Sequence, residues 1–247
     1  MINYSADIER FMSHFKRELE QIWEFRIEGG GNEKAYKKVL FFSVIDSLSK
    51  CIFPRKGNRD RIVSFVNDFS EWDNRHRISL PHLSQLLFKS PEPAFSNLKK
   101  IVNDEYSKWS SGEIISLERD PDIKDVLKYW PAEKEHKKPL SVITIESLQH
   151  IHLFYSYRNF LVHELREPGY GFDTYKEDSP YYISFTHLPG DSTEDEKETW
   201  ELVYPVLFLK NLLVNCLNNM ENYLTDNNIN PYSSYTFGTY WIDELNR

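Results

Sequence analysis

Residues 154–169 read FYSYRNFLVHELREPG. Placed at about 100 degrees per residue, Ile151, Phe154, Tyr155, Leu161, Val162 and Leu165 fall on one apolar face of a helix, and Arg158 lies in the middle of it. A long cation on a core-facing stripe must be ion-paired, hydrogen-bonded or directed into a cleft, because an unpaired buried charge is costly. Asn159 and His163 are four residues apart and share an adjacent face, with His152 further back on the same stripe. An obligate cation, an amide and an imidazole thus occur within six residues of an otherwise mostly apolar segment. Those are groups that phosphodiester chemistry can use. Arg158 and His163, five apart, point about 140 degrees away from each other on an ideal helix. Their meeting at one phosphate therefore calls for a local break in the helix or for two copies of the chain across a shared cleft, and the symmetric dimer is favoured.

The rest of the chain reads as a helical scaffold for this segment. Before it, Ser5 opens a helix with Phe11, Phe15, Leu19, Ile22, Trp23 and Ile27 mostly at spacings of three and four, stopped by Gly29, Gly30 and Gly31. A second helix runs from about Asn32 to Ile52, apolar over much of its circumference and so expected to be central, until Pro54 ends it. Asp46 interrupts that apolar run. The bland reading is a solvated acid on the exposed edge; the sharper one is a buried acid pairing an arginine. The turn that follows carries Arg55, Lys56, Arg59 and Arg61, four cations from one connection that either clamp phosphates or form a solvated loop. It leads into a short helix with Ile62, Phe65, Val66 and Phe69. Two more helices are read over Leu80–Phe88 and Ala94–Trp109, followed by an irregular connection from Gly112 to Leu140 with one short helix near Ile123–Tyr129 and a charged run from Glu133 to Lys138.

The motif helix is expected to be capped by Thr144 and to run to about Leu165. After it come Pro168, Gly169 and Gly171, a strand-like YYISFT at 181–186 and an acidic loop from Asp191 to Glu198, which fit a small irregular or hairpin insertion. The last strong helix spans about Tyr204–Leu224, with Pro205 at a first-turn position. The tail PYSSYTFGTYWIDELNR is too aromatic for a disordered end and is expected to dock on the body or on a partner. The sequence reads as a single all-α domain over residues 1–247, with a small β-hairpin insertion after the motif helix.

With 247 residues, 40% hydrophobic and 15% aromatic, the chain can bury a sizeable core, which excludes wholesale disorder. A net charge of -8 argues against a protein that coats nucleic acid indiscriminately, since such binding depends on neutralising phosphates. Cys51 and Cys216 each sit in an apolar helical pattern and read as free thiols in a reducing compartment. No apolar run reaches the ~18 residues of a membrane span and the N-terminus lacks a signal pattern, so a cytoplasmic protein is expected. The histidines are scattered, with His150 and His152 on different helix faces, and no metal site or cofactor is read.

Arg158, Asn159 and His163, in the run RNFLVHE, resemble the Arg-x4-6-His motif of HEPN-domain proteins, whose commoner form begins Arg-Asn. The helix VLFFSVIDSLSK and the basic turn after it also look like the preceding part of a bacterial HEPN protein. The resemblance covers about 34–224, with elaborations at about 78–140 and 168–200 and the aromatic tail at 231–247 outside it. It implies a HEPN-like helical bundle and a metal-independent endoribonuclease of toxin or antiviral defence systems, with RNA as substrate, a homodimer whose interface holds the motif, and an antitoxin or other defence protein as partner. Under it His163 assists proton transfer involving the RNA 2'-hydroxyl, a role suited to an imidazole titrating near neutrality. Arg158 neutralises the phosphate through its fixed donor fork, and Asn159 orients the histidine or a phosphate oxygen. The products are a 2',3'-cyclic phosphate and a 5'-hydroxyl. Some relatives of that family carry a tyrosine two residues after the motif histidine, which a partner modifies; Leu165 stands there, and Tyr170 lies too far along to replace it. Beside the resemblance, accessory contacts to RNA are read at the basic turn, Arg55, Lys56, Arg59 and Arg61, and at His152 and Arg166, for which the family pattern has no matching position. The competing reading is a non-catalytic HEPN-like module that binds RNA or a partner protein through the same polar seam.

Overall fold

The computed structural model of the chain describes residues 2–28, 32–90, 93–131, 143–171, 173, 177–187 and 197–235. The glycine stop at 29–31, the charged run at 133–138 and most of the acidic loop and aromatic tail lie outside these residues. The fold is mostly helical with one small antiparallel sheet. The chain divides into two compact units, Met1–Glu71 with Lys210–Arg247, and Trp72–Leu209. Composition does not mark the division: one boundary falls at Glu71, whose φ is 56°, and the other inside a helix.

The first unit holds α1 (Ser5–Glu24), α2 (Glu33–Ile52), α3 (Asn58–Phe69) and most of α8 (Val206–Asp226). α1 buries Ile8, Phe11, Met12, Phe15, Leu19 and Ile22, the three-and-four spacing of an amphipathic helix. α2 opens with the Asn32 side chain accepting from Ala35 N–H at 3.2 Å and buries residues on several sides. Even Lys37 and Lys38 are buried; Lys37 Nζ meets Glu33 at 2.8 Å and lies over the Trp23 ring. α8 is tied down by Asn215 and Asn219, whose amides donate to the carbonyls of Ser70 and Phe69 at 3.2 and 3.0 Å. Both cysteines are free and buried, and burial pushes the Cys51 thiol up to about 12. The tail begins by docking as expected: Tyr232 and Tyr235 meet the Phe11 ring edge-on at 5.6 and 5.4 Å.

The second unit holds α4 (Leu80–Lys89), α5 (Ser96–Tyr106), β1 (Ile115–Ser116), α6 (Ile123–Leu127), α7 (His150–Glu164), β2 (Tyr181–His187) and β3 (Lys197–Val203). The sheet order is β1-β2-β3, with Ile115 opposite Tyr182 and Tyr182 opposite Leu202. The hairpin after the motif helix is therefore present. Glu198 belongs to β3 rather than to an acidic loop, and the region expected to be irregular contributes a third strand, β1.

The motif helix is shorter than its sequence pattern. Thr144 does cap, its hydroxyl accepting from Ser147 N–H at 3.2 Å, but what it caps is a 3-10 turn over Ile145–Leu148. Gln149 is then extended, at ψ 144°, before α7 begins. The cause is a long-range competitor for the backbone. Gln149 bridges Ile78, its side-chain amide donating to His76 C=O at 3.0 Å, while Leu148 C=O accepts from Ser79 N–H at 3.0 Å and His150 N–H donates to Arg77 C=O at 3.2 Å. These bonds replace the helical ones. At the other end Leu165 closes α7 in the left-handed region, φ 52° and ψ 32°, which turns its side chain out to 66% exposure instead of onto the apolar face. Among the described residues, no helix is long and apolar enough to cross a membrane.

Candidate active site on the motif helix

α7 buries Ile151, Phe154, Tyr157, Arg158 and Leu161. Arg158, only 7% exposed, sits in the apolar stripe as its position requires. Its Nη1 donates to Asn159 Oδ1 at 3.2 Å and meets His163 Nε2 at 3.2 Å. The expectation that one chain cannot bring Arg158 and His163 together is corrected. Five residues advance only about 7.5 Å along the axis, helical side chains lean back toward the N-terminus, and a guanidinium reaches across the angle that separates the two Cβ atoms. A guanidinium only donates, so Nε2 is the acceptor and the ring proton in a neutral His163 is on Nδ1. His163 is exposed and Asn159 half-buried, so the pair opens to solvent beside a buried cation.

The accessory candidates are placed differently. Arg61 turns inward: its Nη2 meets Asp46 at 2.5 Å and its Nε donates to Ser49 at 3.2 Å. The arginine pairing of the sharper reading is therefore present, although Asp46 itself is half-buried rather than buried, and the pair removes Arg61 from the cations available to a phosphate. Lys56 Nζ donates to Ser64 at 2.7 Å and lies over the Phe53 ring, while Arg55 and Arg59 are exposed. All four belong to the first unit, whereas the motif belongs to the second. His152 is half-buried near the start of α7, and Arg166 donates to Glu164 at 2.7 Å with its guanidinium over the Phe160 ring. Among the described residues, no group of three or more His, Cys, Asp or Glu is placed to hold a metal ion.

A second polar constellation, which sequence reasoning missed, lies deep in the same unit. Asp120 is 1% exposed and receives three donors: Leu80 N–H at 2.8 Å, His150 Nε2 at 2.6 Å and the Tyr182 hydroxyl at 2.7 Å. The Tyr182 and Ser79 hydroxyls are 2.8 Å apart, and Ser79 Oγ is 2.7 Å from His82 Nδ1. One assignment satisfies every contact. A carboxylate only accepts, so the single Tyr182 proton goes to Asp120, Ser79 donates to Tyr182, and His82 Nδ1–H donates to Ser79. His82 is then fixed with its lone pair on Nε2. Burial and the neighbouring His150 lower its pKa to about 4, against the opposing pull of Asp120.

Among protein-family models, curated proteins and solved structures, none matches this chain. The functional reading rests on residues and their geometry.

The lowered His82 has a consequence for acid stability. Its folded value of about 4 lies below the ordinary 6.5, so under pH 6.5 the unfolded chain takes up a proton that the folded one refuses. Its contribution is complete above that pH, falls as the pH drops and levels off below about 4. The loss is on the order of 3 kcal/mol, at 1.36 kcal/mol per unit. Urea midpoints at pH 7 and pH 4 should therefore differ less in His82→Gln than in the parent; an unchanged difference would remove His82 from the account.

Proposed function

We propose that this chain is a metal-independent endoribonuclease whose working groups are Arg158, Asn159 and His163, with a role in toxin or antiviral defence as in the family it resembles. The observation that supports it is the convergence of Asn159 Oδ1 and His163 Nε2 on one guanidinium nitrogen. In the free protein that nitrogen occupies the imidazole lone pair. A phosphate oxygen is the stronger acceptor for a guanidinium, so an arriving phosphodiester takes Nη1 and leaves Nε2 open. His163 Nε2 then accepts the proton of the 2'-hydroxyl, the O2'–P bond forms as the P–O5' bond breaks, and the departing 5'-oxygen takes a proton from water. Arg158 offsets the charge that builds on the phosphoryl oxygens, and it does so from a buried position where that interaction is strengthened. Asn159 holds the guanidinium in place.

Because Arg158 and His163 meet within one chain, the geometric reason for a second copy falls away; a homodimer, where it forms, arranges RNA or a defence partner rather than completing the pair. An equimolar mixture of Arg158→Ala and His163→Ala is accordingly expected to stay inactive. Recovery of activity on mixing would show that the two groups act across an interface. The primary test is incubation with end-labelled structured and unstructured RNAs in EDTA, where cleavage leaving 2',3'-cyclic phosphate ends is expected. Failure on every RNA would turn the reading toward a binding module built on the same seam.

A further inference from the structure

The face of α7 next to the motif borders a cavity of about 280 Å³ within the second unit, shared with α4 and β3. Tyr157, Phe160, Trp200 and Tyr204 supply aromatic lining, and His82 and Glu201 are among its polar residues. Two features mark it as built to accept hydrogen bonds.

The first is the His82 tautomer. With Nδ1–H committed to Ser79 by the chain that ends on buried Asp120, the imidazole keeps an acceptor at Nε2, on the opposite edge of the ring in a residue that lines the cavity. The lowered pKa keeps that ring neutral at physiological pH. The second feature is Glu201. Its Oε1 accepts from the Thr199 hydroxyl at 2.9 Å, and its Oε2 lies over Gly169, where a Cβ would come within 2.1 Å of it. Gly169 has φ 71°, a left-handed conformation open to glycine, so the turn after the motif helix has room for a carboxylate where other residues would place a side chain.

A neutral acceptor and a carboxylate in a cavity with aromatic lining call for a flat ligand that carries N–H donors on its edge. Its volume is at the small end of ligand pockets. We propose that this cavity binds a nucleobase bearing an exocyclic amino group, guanine best, with Glu201 accepting from its adjacent N–H donors and His82 Nε2 accepting from a further one. Guanine places a ring N–H beside an amino group, which matches the two oxygens of a carboxylate; uracil, with a lone ring N–H between two carbonyls, fits worst. The cavity lining does not include Arg158, Asn159 or His163, and the proposal does not depend on the ribonuclease reading.

Calorimetric titration with guanosine, adenosine, cytidine and uridine monophosphates tests it. Saturable binding is expected, strongest for guanosine and weakest for uridine. Glu201→Gln, which keeps the size of the side chain, should weaken guanosine monophosphate at least tenfold with an unchanged circular dichroism spectrum, and Gly169→Ala should do the same by displacing the carboxylate. His163→Ala should bind as the parent does, so that loss of cleavage and loss of base binding are told apart. A short guanine-containing single-stranded RNA that displaces the mononucleotide would show that the base is taken from a chain; no displacement would assign the site to free nucleotides. Absence of saturable binding by all four mononucleotides at millimolar concentration, or equal binding by Glu201→Gln, would overturn the proposal.

Discussion

Replacing His163 by alanine should reduce RNA cleavage by roughly 10²–10⁴-fold, the range over which a positioned general base contributes, with little change in stability, because the ring is exposed at the end of α7. Arg158→Ala should lose a comparable amount of activity, on the order of 10²–10³-fold for a donor that stabilises developing negative charge, but through a different balance of effects. Arg158 is buried in an apolar stripe, so the substitution also removes packing and leaves Asn159 and His163 without the nitrogen that holds them. Arg158→Lys separates the two contributions: an ammonium keeps the charge and most of the stem but has no planar fork with which to hold both partners and a phosphate. It should recover stability while recovering little activity. Single-turnover cleavage rates beside urea midpoints make the comparison. Full activity in His163→Ala would remove the site from the reaction.

That site is partly legible in the sequence. Periodicity alone put Arg158 on the apolar face of the motif helix, and its burial follows. What an angular projection leaves out is side-chain length and tilt, and those decide whether Arg158 and His163 meet. The buried constellation was not legible for a different reason. Ser79 and His82 are three apart at the start of α4, but Asp120, His150 and Tyr182 come from three other stretches of the chain, and no spacing relates those to the pair. Their one sequence signal was polar residues standing beside apolar ones: Tyr182 within YYISFT and His150 directly before Ile151. That signal is too common to point to a cluster.

The helices were legible wherever an apolar stripe ended at a recognisable cap. Asn32 before α2 is such a case, as is Pro81 in the first turn of α4. The break at Gln149 was not, because no glycine or proline marks it and the apolar pattern runs through it. It arises from a bridge to Ile78, some seventy residues earlier in the chain, which local propensity does not register. The two-residue strand β1 escaped for a similar reason: its identity as a strand comes from pairing with Tyr181 and Tyr182.

Asp120→Ala is expected to be strongly destabilising, by about 3–5 kcal/mol, the usual cost of removing one member of a buried, charged hydrogen-bonded group. Removing the carboxylate leaves Leu80 N–H, His150 Nε2–H and the Tyr182 hydroxyl without their acceptor, in a place where both side chains of the Asp120–His150 pair are fully buried. Each orphaned donor costs about 1–3 kcal/mol. Water entering the space would recover part of that, which keeps the total below the sum. The loss is large against the roughly 5–15 kcal/mol that holds a domain together. Asp120→Asn tests the directional chain more finely. Its Oδ1 still accepts, but its amide brings two donors against groups that are themselves donors, so it should lie closer to alanine than to the parent. Trp72, Trp109, Trp130 and Trp200 all belong to the second unit, so tryptophan fluorescence during urea unfolding reports mainly on the region that Asp120 supports. Tyr182→Phe, which deletes one donor and leaves the carboxylate with the other two, should cost far less than Asp120→Ala. If the two substitutions shift the midpoint equally, Asp120 is not the acceptor on which the network converges.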